Sequence, residues 1–292
     1  MSATVTALQV RKLSEPLGAE VLGADLKRDD RGQFETIYQA WLDADGLVVI
    51  RDQEIGPEDH IRFSRNFGTL LGRRNSVPEF ALRPGYPELL VLTNEKKANG
   101  EPVGLNDAGY YWHSDVTFEE CPAKASLLYG MKIPPEGGDT LFCNMYLAYA
   151  TLPADVQSKI ATLQAAHSIS GSPVGFEVGG KRAELTEAQK AGQKKQAVHP
   201  VVRTHPETGR KALYVNKGFT RRIEGLAQAE SQELLDYLFE HSTNPDFIYR
   251  HKWRPNDLLA WDNRCLMHLA TAYDQQYPRH MNRTTVAGDR PC

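Results

Sequence analysis

The stretch Tyr111-Trp112-His113-Ser114-Asp115-Val116 contains the pair of residues on which the fold and chemistry of this chain depend. His113 and Asp115 are two positions apart, so in an extended strand the imidazole and the carboxylate project from the same side of the backbone. A third metal ligand must come from elsewhere. We expect it to be His268, because a closed antiparallel β fold can bring a remote strand alongside. Two histidines and one carboxylate leave three octahedral positions open, which is the pattern that suits non-haem iron(II) oxygenases.

A His-x-Asp pair also arises by chance, and many histidines have no ligand role. Of the nine histidines, only His113 begins such a pair. The nearest rival is His205-Pro206-Glu207, which runs into Thr208-Gly209 between two apolar runs. Pro and Gly there indicate the turn of a hairpin, in which His205 needs no metal.

Many short apolar runs separated by turn signals indicate a mainly β fold. Turns are predicted at 134–138, 206–209 and 254–257, where Pro is followed by Gly or Asn. Apolar spacing predicts helices beginning near Phe34 and Pro57, and further helices near 151–163 and 229–241. Few helices interrupt the strands, which favours a sandwich or jelly roll over a parallel sheet. We predict helical additions on a jelly-roll (double-stranded β-helix) core.

Length and composition narrow the class further. The 292 residues are predicted to form a single domain, 1–292, and the polar, Gly/Lys-rich stretch 172–196 a mobile surface loop. A net charge of −3 gives no general attraction to nucleic acid or anionic membranes, and no stretch approaches membrane-spanning length. Four cysteines without Cys-x-x-Cys spacing, and no signal-peptide pattern, predict a cytoplasmic protein with a small partner.

Downstream of His268, Arg279 and Arg283 are four positions apart and would face one side of an extended strand. A guanidinium matches a carboxylate with two charge-assisted hydrogen bonds. Isolated arginines are more often simply exposed. Beside a candidate ligand, this pair instead predicts an anion clamp.

Taken together, these motifs resemble the iron(II)- and 2-oxoglutarate-dependent dioxygenases of the taurine dioxygenase and dichlorophenoxyacetate dioxygenase (TauD/TfdA) family. The resemblance covers nearly the whole length. It is carried by four segments: Trp112-His-Ser-Asp-Val-Thr-Phe118, Pro134-Pro-Glu-Gly-Gly-Asp-Thr140, Trp261-Asp-Asn-Arg264 leading to His268, and Arg279 with Arg283.

The resemblance implies a role for each matching residue. His113, Asp115 and His268 would bind Fe(II); Thr140 and Arg279 would hold the distal carboxylate of 2-oxoglutarate. Arg283 would lie near the metal and contact the cosubstrate or the anionic group of the substrate. With O2 as second cosubstrate, the products would be succinate, CO2 and a hydroxylated substrate. Family resemblance also suggests a homodimer or homotetramer.

One departure bears on the substrate. Where taurine dioxygenase carries a histidine-bearing loop that meets the sulfonate, this chain has Leu71-Gly72-Arg73-Arg74-Asn75. The resemblance therefore does not extend to taurine itself. Arg73 could meet a different anion, and Tyr110 and Val116 could line the pocket. The expected substrate is a small anionic organic molecule: a sulfonate, an alkyl sulfate ester or an aryloxyalkanoate.

Two alternatives remain open at this point. Two histidines, an aspartate and a water also make a catalytic zinc site, so a hydrolase is possible. A non-catalytic, metal-stabilised β-barrel that binds a small anion is the other. A hydrolase does not need the second clamp at Arg279, and its activity should survive without oxygen.

Overall fold

The computed structural model describes residues 8–72, 77–106, 108–170 and 196–292. The strands of this part are β1 (Gln9–Lys12), β2 (Ala19–Leu22), β3 (Leu47–Ile50), β4 (Leu82–Arg83), β5 (Tyr86–Thr93), β6 (Ala123–Lys132), β7 (Thr140–Asn144), β8 (Gln164–Ser168), β9 (Gln196–Pro200), β10 (Val202–Thr204), β11 (Lys211–Leu213), β12 (Thr220–Ile223), β13 (Ile248–His251), β14 (Leu258–Asp262), β15 (Leu266–Ala270) and β16 (His280–Ala287). The helices are α1 (Arg31–Asp43), α2 (Pro57–Arg65), α3 (Met145–Ala150), α4 (Ala154–Ile160) and α5 (Gln228–Ser242), with short 3-10 helices at Glu79–Ala81 and Pro245–Phe247.

Two sheets make the jelly roll. The larger has eight strands in the order β1-β2-β3-β14-β6-β16-β5-β4, and the smaller has the order β13-β7-β15. Neighbouring strands are antiparallel except β2 and β3. Two further small sheets, β12-β8-β9 and β10-β11, flank them. The predicted mainly β fold with helical additions is confirmed.

The central strands β3 and β14 of the large sheet are buried on both faces, which explains their continuous apolar runs. Along β14, Leu259 and Trp261 contribute to the core shared with the smaller sheet, where Trp261 packs on Phe142 at 5.6 Å between ring centroids. The alternate residues Leu258 and Ala260 face the opposite core, beneath α1 and α2. Because successive side chains point to opposite faces of the sheet, β14 contributes to both cores.

The predicted helices are present, and local interactions explain where α1 and α2 begin. The Asp30 side chain accepts a hydrogen bond from the backbone N–H of Gln33 and caps α1, and Pro57 is the first residue of α2. Helix α4 lies within 151–163 and α5 matches 229–241 to one residue at each end. Sequence patterning missed α3, whose six residues are too short for a periodic signal.

The predicted loop 172–196 falls almost wholly outside the described residues; its last residue, Gln196, begins β9. The hairpin predicted around His205 is present, because β10 and β11 pair antiparallel with Thr204 opposite Lys211. No helix in the described ranges has both the length and the apolar character needed to cross a membrane.

His60 is a fully buried histidine between α2 and the large sheet, and it gives a testable acid sensitivity. Its Nε2 donates to the Leu127 carbonyl at 3.2 Å, and burial lowers the pKa of His60 from 6.5 to about 4. The unfolded chain therefore binds a proton between these pH values that the folded chain does not, so stability is lost as pH falls through this window.

Replacing His60 by glutamine, whose amide can donate the same hydrogen bond, should flatten this acid dependence. We expect the wild-type free energy of unfolding to fall by about 2 kcal/mol more than that of His60→Gln between pH 7 and pH 5. Urea unfolding at both pH values measures the difference. Equal acid losses in the two proteins would show that His60 does not resist protonation.

Candidate metal centre

His113 and His268 lie directly opposite each other in an antiparallel backbone pair. The His113 N–H donates to the His268 carbonyl at 3.1 Å, and the His268 N–H donates to the His113 carbonyl at 2.8 Å. Opposite residues of such a pair carry side chains on the same face. The two imidazole centroids are accordingly 4.1 Å apart. The remote segment predicted to supply a third donor is β15.

Asp115 reaches the same point by a different route from the one predicted. His113 forms an isolated bridge rather than a strand, and the chain turns at Asp115. Val116 has φ of 64°, a left-handed conformation that a β-branched residue rarely adopts. The extended-strand prediction for 113–115 is therefore wrong. The donor atoms of His113, Asp115 and His268 nevertheless lie within 4.8 Å of one another, all buried.

The protonation states of this cluster suit a divalent cation. The Nδ1 of His113 lies 2.8 Å from the Tyr111 carbonyl and donates to it, so that Nε2 is the ring nitrogen that faces Asp115, at 3.6 Å from Oδ1. Burial, reinforced by His113, lowers the pKa of His268 well below its ordinary value, so the ring is neutral. Burial alone would raise the pKa of Asp115, but the Arg283 guanidinium and the neighbouring His113 and His268 together hold that pKa well below its ordinary value. A neutral His268 and an ionised Asp115 are the forms that bind metal.

Arg283 touches the carboxylate directly. Its Nη1 donates to Asp115 Oδ1 at 3.0 Å and to Oδ2 at 3.2 Å, while its Nε has no partner among the described residues. Arg283 lies in β16 opposite Leu90 of β5, and the same register places it against Leu128 of β6. Arg283 thus lies beside the candidate metal ligand Asp115, where the sequence predicted it.

Arg279 lies in the same cavity as the three donors, without a carboxylate partner in the described part of the chain. Only 9% of the residue is exposed, its Nη2 donates to the Gly138 carbonyl at 3.3 Å, and its Nε has no partner. Burial lowers its pKa below the ordinary value because leaving water penalises the cation. A buried guanidinium normally has an anionic partner, so this one is suited to an anionic ligand.

Thr140 lines the same cavity. Its Oγ1 accepts a hydrogen bond from Trp253 Nε1 at 3.0 Å, which leaves the hydroxyl hydrogen available to a ligand. The cavity has a volume of about 170 Å³. It holds His113, Asp115, His268, Thr140, Arg279 and Arg283 together.

The structure describes only some of the residues that were predicted to contact the substrate. Tyr110 and Val116 line the cavity, whereas Arg73 lies outside the described residues. Sequence reasoning missed the apolar walls, which are formed by Leu90, Leu92, Phe118, Ile169 and Phe219. The alternation of Leu90 and Leu92 in β5 was an available signal. Phe219, in a loop more than 100 positions from His113, offered none.

A second group of candidate donors, His205, Asp262 and Cys265, is already engaged. The Nδ1 of His205 accepts from the backbone of Glu207 and Thr208, and its Nε2 donates to Asp262 at 3.0 Å. Arg264 binds both oxygens of Asp262. Burial raises the pKa of Cys265 well above its ordinary value, so the thiolate is disfavoured. The hairpin interpretation of His205 agrees with this geometry.

Comparison with known proteins agrees with the geometry. The model of the taurine catabolism dioxygenase TauD, TfdA family matches residues 9–285. The chain is 37% identical over 255 residues to the alpha-ketoglutarate-dependent 2,4-dichlorophenoxyacetate dioxygenase of Cupriavidus pinatubonensis, covering 85% of this chain and 86% of that protein. A taurine dioxygenase structure from Burkholderia xenovorans is 35% identical with a TM-score of 0.80, covering 98% and 91%. The structure of AAD-2 in complex with Mn(II) and N-oxalylglycine is 33% identical with a TM-score of 0.78, covering 98% and 99%.

The jelly roll, its site and these relatives define an oxidoreductase, a dioxygenase dependent on 2-oxoglutarate (alpha-ketoglutarate). The chain belongs to the taurine catabolism dioxygenase TauD, TfdA family. The resemblance stated from the motifs and the jelly-roll prediction are both confirmed. The family favours the oxygenase over the zinc hydrolase and the non-catalytic anion-binding barrel.

Proposed function

We propose that His113, Asp115 and His268 bind Fe(II), and that Thr140 and Arg279 bind the distal carboxylate of 2-oxoglutarate. The observation that carries this proposal is the juxtaposition of two sites in one cavity. The same cavity contains three buried donors, whose ligand atoms lie within 4.8 Å of one another, and the buried Arg279, which forms no ion pair with a described carboxylate. A diacid that chelates a metal at one end needs such an anchor at the other.

The chain's own residues then have distinct tasks. Arg279 and Thr140 fix the orientation of the diacid, and Asp115 and His268 present donors without needing to change protonation. Fe(II), 2-oxoglutarate and O2 supply the oxidative chemistry when bound, with succinate and CO2 as products.

The cavity walls favour an aryloxyalkanoate among the three anionic substrate classes. Phe118 and Phe219 pack edge to face with ring centroids 5.0 Å apart, and Tyr111 packs edge to face on Phe219 at 6.0 Å. Aromatic edges and faces pack well against an aryl group. We propose that Arg283, with its unpartnered Nε, contacts the acidic group of the substrate, and that Tyr110, Val116 and Arg73 complete its surroundings. The 2,4-dichlorophenoxyacetate dioxygenase named above acts on such a substrate.

Succinate formation from 2-oxoglutarate, measured with Fe(II) across aryloxyalkanoates, alkyl sulfates and sulfonates, tests the function. We expect stimulation by at least one aryloxyalkanoate under oxygen and none under argon. Product formation that persists without oxygen or 2-oxoglutarate would contradict the proposal and point to a hydrolase. Stimulation by alkyl sulfates alone would contradict only the substrate class.

Three further proposals concern the whole protein. We propose a single domain over 1–292, supported by a family match that spans 9–285. A cytoplasmic location is supported by four free cysteines. A homodimer or homotetramer is supported by the family resemblance, and light scattering during size exclusion measures it.

A further inference from the structure

Ser126, in the middle of β6, lies between the carboxylate of Asp115 and the amide of Asn263. Its Oγ is 2.6 Å from Asp115 Oδ2, and Asn263 Nδ2 is 3.0 Å from the same Oγ. Ser126 and Asn263 are fully buried and Asp115 is 4% exposed. Removing one partner would therefore leave a buried polar group without its hydrogen bond, which is costly.

The direction of these hydrogen bonds follows from the groups around Asn263. Its Oδ1 lies 3.0 Å from the backbone N–H of Asp115 and 3.1 Å from Trp261 Nε1, and both of these can only donate. The amide orientation is thus fixed, and Nδ2 must be the group that faces Ser126. Ser126 Oγ accepts from Nδ2, so its single hydrogen points to Asp115 Oδ2.

Arg283 does not distinguish the two carboxylate oxygens, because its Nη1 lies 3.0 Å from Oδ1 and 3.2 Å from Oδ2. Ser126 does distinguish them, since its hydrogen bond is to Oδ2. The other oxygen, Oδ1, is the one that faces His113, at 3.6 Å from Nε2. The carboxylate is therefore held in one of its two possible presentations.

We infer that Ser126 and Asn263 are positioning residues that hold Oδ2 of Asp115 and reserve Oδ1 for the metal. The inference rests on the proposed metal site at His113, Asp115 and His268. A carboxylate that offers one oxygen leaves three octahedral positions open, whereas one that turns to offer both would fill a position needed by the cosubstrates. Hydrogen bonds to ligating groups commonly set both orientation and affinity in this way.

Mn(II) binding, measured by calorimetry on the full chain, tests the inference. Ser126→Ala should bind Mn(II) about 10- to 100-fold more weakly than the wild type. Ser126→Thr, which keeps the hydroxyl, should bind within a few-fold of the wild type. Ser242→Ala is the matched control, because Ser242 is equally buried but bonds to a helix carbonyl of Phe239. The visible absorption of Co(II), which depends on coordination number, should change in Ser126→Ala and stay the same in Ser242→Ala.

The possible outcomes distinguish a failure of the positioning role from a failure of the proposed metal site. Wild-type protein that binds no Mn(II) would overturn the proposed metal site itself. If Ser126→Ala binds Mn(II) as tightly as the wild type and gives the same Co(II) spectrum, only the positioning role would be overturned. Folded Ser126→Thr that binds as weakly as Ser126→Ala would also overturn the role given to the hydroxyl. Thermal unfolding of each variant identifies the folded ones.

Discussion

Replacing His113 by alanine is expected to abolish 2-oxoglutarate-dependent turnover. The imidazole is one of only three donors that converge in the cavity, and no other described histidine shares that cluster with Asp115 and His268. A bound metal contributes several kcal/mol to transition-state stabilisation, so its loss lowers the rate by roughly 10³-fold or more. Succinate formation in the presence of Fe(II) and substrate measures the effect, and Mn(II) calorimetry should show the same loss of affinity.

His60→Gln is the control for this experiment, since His60 is also a buried histidine but lies outside the cavity. It should keep wild-type turnover at neutral pH. Substrate-linked succinate formation that survives in His113→Ala would rule out the proposed metal centre. Loss of activity in both variants would instead indicate a general effect on folding.

Replacing Arg279 by alanine is expected to raise the KM for 2-oxoglutarate by about 100-fold or more. The guanidinium is buried and would be the charged partner of the distal carboxylate, and removing one member of a buried, hydrogen-bonded charge pair costs about 2–5 kcal/mol of binding. Succinate formation measured against 2-oxoglutarate concentration gives the KM. Arg279→Lys should be intermediate, because lysine keeps the charge but lacks the two-pronged geometry.

Arg279→Ala should weaken 2-oxoglutarate binding without destabilising the ligand-free protein. Without the diacid, Arg279 is a buried cation that lacks a described carboxylate partner, which is a cost to the folded state. We expect the Tm of ligand-free Arg279→Ala to match or exceed that of the wild type, and the stabilisation by added 2-oxoglutarate to be lost. An unchanged KM in a folded variant would exclude Arg279 as the anchor. Arg222→Ala is the control, since Arg222 is an exposed arginine paired with Glu224.

The geometry also explains why His268 and Asp115 would not need to gain or lose a proton when a metal binds. The neutral state of His268 comes from burial beside His113, and the charge of Asp115 is maintained against the cost of its own burial by Arg283 together with the neighbouring histidines. Both effects are present before any ligand enters. The described residues are thus preorganised for the proposed chemistry, which is the usual source of catalytic efficiency in buried sites.

Much of this protein could be predicted from the sequence by itself. The spacing of His113 and Asp115, the later His268, and the arginines at 279 and 283 predicted the residues that the structure brings into one cavity. Short apolar runs between turn signals, Pro57 at a helix start and the apolar spacing of α5 predicted local structure, because each depends on neighbours a few residues away.

Only the tertiary structure decided how these residues meet. The backbone pair between His113 and His268 joins segments far apart in the chain, and nothing in the local sequence encodes its register. Val116 adopts a left-handed turn that its own side chain disfavours, so surrounding contacts must hold it there. Ser126 lies on β6 and Asn263 in the turn after β14, and they acquire their relation to Asp115 only when β6 and β14 pair. Hydrophobic periodicity records which face of an element is buried, whereas long-range packing determines what that face meets.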